Sequence, residues 1–178
     1  TVYALAVDGD RLYAGGSFTT AGGTNAMYIA QWDDSVWSSL GSGMNGSVKA
    51  LEVAGGYLYA AGEFATAGDV SALRIAQWDG NKWSALGVGL NGFVYALTAS
   101  EDGLFAGGIF TNSGTMPVYF IERWDGSNWW PLGSGMKNDA VYALKSAGYY
   151  LFAGGGFTMA GGKVSGYGAK AIVVKEPA

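Results

Sequence analysis

A six-residue pattern, Trp-Asp-x-x-x-Trp, occurs three times in the chain, at residues 32–37, 78–83 and 124–129. Six of the seven tryptophans lie in these copies. A second pattern, Val-x-Ala-Leu, opens four segments whose starts are 46, 46 and 47 residues apart. Because a period of this length is typical of propeller blades with four strands, the sequence predicts a chain of four similar structural units.

Each unit is expected to form four short antiparallel strands. In the first unit these strands cover residues 2–7, 12–16, 28–32 and 37–40. The turns between them are rich in aspartate and glycine, which adopt the positive φ angles of tight hairpins, and no segment shows a helical period. We therefore predict an all-β fold, a β-propeller in a single domain over residues 1–178, with repeat units 1–46, 47–92, 93–139 and 140–178.

The fourth unit is incomplete in sequence. Its last strand, expected over residues 169–174, lacks the Trp-Asp pair, and no fourth strand follows. Two arrangements remain open: a four-bladed propeller with a short last blade, or a segment of a larger propeller of six to eight blades. An open arc would expose an unpaired strand edge, a hazard for self-association. The sequence starts at Thr1 directly on a strand-like segment, so we expect a processed chain or a fragment.

Composition excludes several classes of chemistry. The chain has no cysteine and no histidine, which excludes disulfides, thiolate nucleophiles, Cys/His zinc sites and histidine acid–base catalysis. The net charge is -4 and the ten basic residues are scattered, so nucleic acid is not an expected partner. No apolar run reaches the roughly 20 residues of a membrane helix, so no membrane insertion is expected. No cofactor and no metal site are predicted.

Residues that break the repeat are the candidates for ligand contact. Trp130 stands where the first two units have Ser38 and Ser84, so it is expected on an outward face, where it either contacts a ligand or fills a local gap. The other candidates lie in the loops after the second strand and between units, which strand alternation places on one face of the propeller; they are Asn25, Asp69, Asn112, Met116, Pro117, Lys137, Asn138, Asp139 and Lys163.

The repeated residues have a structural interpretation instead. The tryptophan pairs are expected to be cross-strand neighbours that pack between blades, with sugar stacking as the alternative. Asp33, Asp79 and Asp125 are expected to cap hairpin turns. Glu63 and Asp69 could perform glycoside chemistry only if the two carboxyl groups faced each other.

The series of residues in the repeats resembles that of Kelch repeats, which carry a Gly-Gly pair, an aromatic-Asp turn, a later tryptophan and a leucine. The series here is Gly15-Gly16, Trp32-Asp33, Trp37 and Leu40. The chain departs from the Kelch pattern in having Trp instead of Tyr at the turn, a tighter spacing, and Ala61 in place of one glycine. The units also resemble tandem tracts in large secreted or cell-surface bacterial proteins. This resemblance implies a propeller used for binding and supplies no catalytic residues.

The expected function is therefore non-enzymatic binding of protein or glycan through one loop face, in an extracellular or cell-surface protein. Two alternatives stay open. The chain could be a structural spacer or assembly unit of a surface filament or layer, or it could be a glycan-active enzyme.

Overall fold

The computed structural model describes residues 1–172, and over this range the chain forms strands and turns only. Contacts divide the chain into two compact units, each larger than a single repeat. The first unit is residues 1–89, with the strands of the first two repeats, and the second unit is residues 90–178, with those of the last two. Each unit holds two of the four main sheets. All pairings in these sheets are antiparallel, which confirms the predicted all-β fold. The extension to a single domain stays a prediction.

The first unit contains two four-stranded sheets and two small hairpins. The first sheet runs in the order β1-β2-β5-β6 and the second in the order β12-β11-β8-β7. The strands of the first repeat are β1 (Val2–Asp8), β2 (Arg11–Gly16), β3 (Thr20–Ala21), β4 (Thr24–Asn25), β5 (Ile29–Trp32) and β6 (Trp37–Ser39). Those of the second are β7 (Val48–Ala54), β8 (Tyr57–Gly62), β9 (Thr66–Ala67), β10 (Val70–Ser71), β11 (Ile75–Trp78) and β12 (Trp83–Ala85).

The second unit repeats this plan with two departures over the described residues: its second main sheet has three strands, and one of its two small sheets has three strands instead of two. The third sheet has the order β13-β14-β17-β18, and the fourth, within the described residues, has three strands in the order β20-β21-β24. The strands of the third repeat are β13 (Val94–Ser100), β14 (Gly103–Gly108), β15 (Asn112–Ser113), β16 (Met116–Pro117), β17 (Ile121–Trp124), β18 (Trp129–Pro131) and β19 (Met136–Lys137). Those of the fourth are β20 (Val141–Ala147), β21 (Tyr150–Gly155), β22 (Met159–Ala160), β23 (Lys163–Val164) and β24 (Gly168–Ile172).

Over the described residues the fourth blade thus has three strands, as predicted. Its last strand begins at Gly168, and residues 173 and 174 of the predicted strand lie outside the described residues. Ala171 occupies the position that Trp32, Trp78 and Trp124 hold in the other three sheets.

The segment after each second strand was expected to be a loop and instead forms a two-stranded hairpin. In the first unit these hairpins are β3-β4 and β9-β10. Their tips carry glycines with positive φ, such as Gly22 at 55° and Gly68 at 56°. Strands of two residues are too short to produce a visible alternation, which is why the sequence pattern does not reveal them.

Packing between the first two sheets depends on the Trp-Asp hairpin. Trp78 and Trp83 are opposite each other on β11 and β12, with ring centroids 5.2 Å apart. The indole Nε1 of Trp83 donates a hydrogen bond to the Leu40 carbonyl of the preceding repeat at 3.0 Å. A Cβ on Gly41 would lie 3.6 Å from the Trp78 ring. The hairpin therefore covers the end of the neighbouring sheet, as the packing interpretation expects.

We expect Trp78→Ala to lower the free energy of unfolding by about 3–5 kcal/mol, because it removes a large buried aromatic side chain. Denaturant titration measures the loss. Trp32→Ala is a matched control, since Trp32 has the same place in its hairpin but is only half-buried. Its loss should be clearly smaller, and equal losses would contradict the packing role.

Candidate functional site

The aspartate of each Trp-Asp turn is used by the turn itself. Asp79 Oδ1 accepts hydrogen bonds from the backbone N–H groups of Asn81 at 2.9 Å and Lys82 at 2.8 Å. Asp33 and Asp125 accept equivalent bonds in their own turns. Hydrogen bonds favour the charged carboxylate, so they hold the pKa of all three aspartates below its ordinary value; at Asp33 the Ser35 hydroxyl has the largest effect, ahead of the backbone bonds. The geometry supports the predicted capping role.

Asparagines between successive repeats form hydrogen bonds with the small hairpins. Asn45 Oδ1 accepts from Ala65 N at 2.8 Å and from Thr66 N at 2.9 Å. Asn91 makes the same contacts in the second unit. Asn138, a predicted ligand residue, donates from Nδ2 to Thr158 Oγ1 at 2.5 Å. Its amide therefore has a structural contact at the corresponding position of the fourth repeat.

Trp130 lies on β18, opposite Arg123 on β17. Its side chain is 46% exposed, in agreement with the expected outward position. The indole Nε1 donates to Asp125 Oδ2 at 2.6 Å. The aspartate that caps the turn with one oxygen thus orients the Trp130 ring with the other.

A cavity of about 560 Å³ lies beside Trp130 in the second unit, between its two main sheets, which are the third and fourth sheets of the chain. Buried apolar residues line it: Phe105 and Ile121 from the third sheet, Leu151 and Ala153 from the fourth, and Met136 from β19. Arg123, Trp130 and Lys163 add polar and aromatic groups. We call this space the Trp130 cavity. Its volume falls within the range of ordinary ligand pockets.

The missing tryptophan explains why there is space here. Leu132 and Gly133, which line the Trp130 cavity, correspond to Leu40 and Gly41 of the first repeat. In the first unit that surface is covered by the Trp78 and Trp83 pair. The fourth repeat places Ala171 there instead.

The structure brings two predicted site residues, Trp130 and Lys163, to the Trp130 cavity. The others lie elsewhere. Asn112, Met116 and Pro117 belong to the β15-β16 hairpin, and Asn25 and Asp69 are exposed in hairpins of the first unit. Exposed Lys137 is on β19, and Asp139 Oδ1 accepts a hydrogen bond from Ala140 N at 2.7 Å. Within the second unit, the candidates therefore do not form one site.

The carboxylates considered for glycoside chemistry have other partners or positions. Glu63 forms an ion pair with Lys49 at 3.3 Å. Asp69 is exposed at the tip of the β9-β10 hairpin. Among residues 1–172, no group of three or more acidic side chains is placed to hold a metal ion, and there is no helix long and apolar enough to cross a membrane.

Sequence reasoning missed Glu122, a fully buried carboxyl group on β17. The first two sheets have Ala30 and Ala76 at this position. Neither carboxylate oxygen has a hydrogen-bond partner in favourable geometry within the described part of the chain. Burial raises the pKa of Glu122 to about 7, and the nearby Ser113 hydroxyl offsets only part of that rise. A glutamate where the repeat has alanine was the signal that could have identified it.

We expect stability to fall as pH rises from 5 to 8, because the folded chain retains a proton on Glu122 that the unfolded chain releases near its ordinary pKa of 4.5. The contribution of Glu122 to this fall is about 2–3 kcal/mol. Urea unfolding at several pH values measures it. Glu122→Gln should flatten the pH profile, whereas Glu101→Gln, at an exposed turn residue, should leave it unchanged. An unchanged slope in Glu122→Gln would contradict this assignment.

Comparison with known proteins supports the propeller fold. The model of the family described as the Rax2 C-terminal beta propeller domain matches residues 1–145. No curated protein matches the chain at a significant level.

Two crystal structures of designed proteins are similar to the chain. The computationally designed Ika4 protein has a TM-score of 0.62 and 15% identity, over 98% of this chain and 92% of that one. The computationally designed Ika8 protein has a TM-score of 0.57 and 20% identity, over 86% of this chain and 42% of that one. At such identities the likeness concerns the fold alone.

Proposed function

The chain belongs to the Rax2 C-terminal β-propeller domain family, and we propose that it is a non-enzymatic binding propeller of a secreted or cell-surface protein. It contacts a protein or glycan through one loop face and the adjoining Trp130 cavity. The observation that carries the proposal is an exposed tryptophan beside a cavity that the repeat would otherwise fill. Exposed aromatic rings that are held in place commonly act as anchors in binding surfaces.

The way Trp130 is held supports a contact role over simple gap filling. Its hydrogen bond to Asp125 fixes the ring, so little conformational freedom is lost when a partner binds. The cavity beside it stays open although the tryptophan is there.

We further propose that the blades are Kelch-like. The Gly-Gly pair supports this, because a Cβ at Gly15 would lie 2.5 Å from Val48 of the next sheet. Glycine at this position lets the neighbouring sheet approach the backbone closely. Gly107 has the same relation to Val141 in the second unit.

Trp130→Ser, which introduces the residue of the first two repeats, is expected to weaken partner binding by about tenfold or more, as for an aromatic anchor. A glycan array and binding to isolated cell-surface proteins provide the measurement. Thermal unfolding should change little, because the side chain is 46% exposed. Ser84→Ala, at the equivalent position of the second repeat, is the control and should bind normally. Unchanged binding in Trp130→Ser would refute the anchor role.

The second candidate is a structural spacer or assembly unit that self-associates through the fourth sheet. It is favoured by β24, which pairs with β21 on one side, while no described strand takes the place that β12 takes beside β11. An edge of this kind is a template for a strand of another chain. If this candidate is correct, sedimentation velocity should show mass that increases with protein concentration. A constant monomer mass would exclude it.

A glycan-active enzyme that uses Glu63 and Asp69 is less favoured, because Glu63 is paired with Lys49. Turnover of a polysaccharide that is abolished by Glu63→Gln or Asp69→Asn would reverse this order.

A further inference from the structure

The Trp130 cavity lies where the first unit has the Trp78 and Trp83 rings. The residues that make it different are departures from the repeat. Ala171 replaces the third-strand tryptophan, Trp130 replaces serine, and Arg123 replaces a glutamine found in both earlier repeats. All three line the same space. Ala171 leaves space, Trp130 adds an aromatic ring, and Arg123 adds a cation.

The charged side chains that line the cavity are all positive. Its titratable side chains are Arg123, Lys163 and Lys170, and the lining residues that the structure describes include no aspartate or glutamate. This contrasts with a chain whose net charge is -4. The Lys170 ammonium lies 3.5 Å from the centroid of the Tyr150 ring, so its charge is already engaged there. Arg123 and Lys163 are the cations available to the cavity.

Arg123 retains hydrogen-bonding capacity. Its guanidinium has five N–H donors, and Nη1 contacts the Asp102 carbonyl at 3.5 Å. Hydrogen bonds from Asn128, Trp130 and Ser127 lower the pKa of Asp125, and the Arg123 charge adds a smaller contribution. The Asp125 oxygens are therefore already occupied by these three donors.

We propose that the Trp130 cavity binds a small amphipathic organic anion, with its apolar body on the buried floor and its carboxylate, sulfate or sulfonate group at Arg123. This inference goes beyond the proposed contact with a protein or glycan, because it assigns a small ligand to the cavity itself. A floor of Phe105, Ile121 and Leu151 favours a hydrocarbon or aromatic body. A guanidinium beside it favours a planar or trigonal anion, which it binds through paired N–H donors.

Two fluorescent probes that differ only by a sulfonate group test the proposal. Anilinonaphthalene sulfonate carries the anion, and N-phenylnaphthylamine has the same aromatic body without it. With the intact chain we expect one site for both probes, the sulfonate binding about tenfold more tightly, which is the size of a charge-assisted hydrogen bond. Added salt should weaken the sulfonate alone. A sulfonate preference that is absent, or insensitive to salt, would overturn the proposal.

Variants that restore the repeat residues locate the site. Arg123→Gln should lower sulfonate affinity about tenfold and leave the neutral probe unchanged, since a charge-assisted bond is lost. Ala171→Trp should abolish binding of both probes by filling the cavity, with Ala171→Leu as a second filling variant if the first does not fold. Lys145→Gln removes an exposed cation outside the cavity lining and should change neither affinity. Unchanged binding in Ala171→Trp, or a sulfonate preference that persists in Arg123→Gln, would place the probes elsewhere and overturn the proposal.

The two proposals fail separately. If Trp130→Ser abolishes partner binding but the probes show no charge preference, the binding function stands and the ligand assignment is wrong. If the probes behave as expected but Trp130→Ser leaves binding of glycans and surface proteins unchanged, the anchor role is wrong and the cavity is a site for free small anions.

Discussion

Packing of the Trp-Asp hairpin on the preceding sheet is the interaction on which the first unit depends. The Trp78 and Trp83 rings bury a large apolar area, and the Trp83 indole is satisfied by the Leu40 carbonyl. A buried indole N–H without such an acceptor would be costly. The turn aspartate holds the hairpin that presents both rings. One short pattern therefore joins the local turn to the contact between sheets.

The second unit shows the consequence of removing that pattern. Where the fourth repeat has Ala171, no indole covers Leu132 and Gly133, and a cavity opens beside the third sheet. Trp130 and Arg123 occupy adjacent positions across β17 and β18 on its wall. The departure that removes the regular contact between sheets thus leaves a cavity lined by an aromatic ring and a cation. The same loss leaves β24 with one described partner strand, so the proposed binding role and the proposed assembly role both involve this irregular repeat.

Glu122 is a second irregularity in the same unit. It replaces a small apolar residue in a buried strand and meets Ser113 where the other repeats have alanine. A buried carboxyl without adequate donors is stabilised as the neutral acid. We therefore expect the stability of the second unit to depend on pH in a range where exposed carboxyl groups do not titrate.

The sequence by itself determined the four repeats, the main strands, the turn caps and the short fourth sheet. These features depend on local chemistry: strand alternation, positive φ at turns, and side chains that bond to the next two or three residues. Local chemistry also singled out Trp130 and Lys163. It did not reveal the small hairpins, the buried Glu122, or the left-handed conformation that Tyr28 and its counterparts adopt before each third strand. Only the tertiary structure decided that Arg123, Trp130, Lys163 and Ala171 share one cavity while the other candidates of the second unit do not line it, because that grouping depends on how the sheets and hairpins of that unit pack.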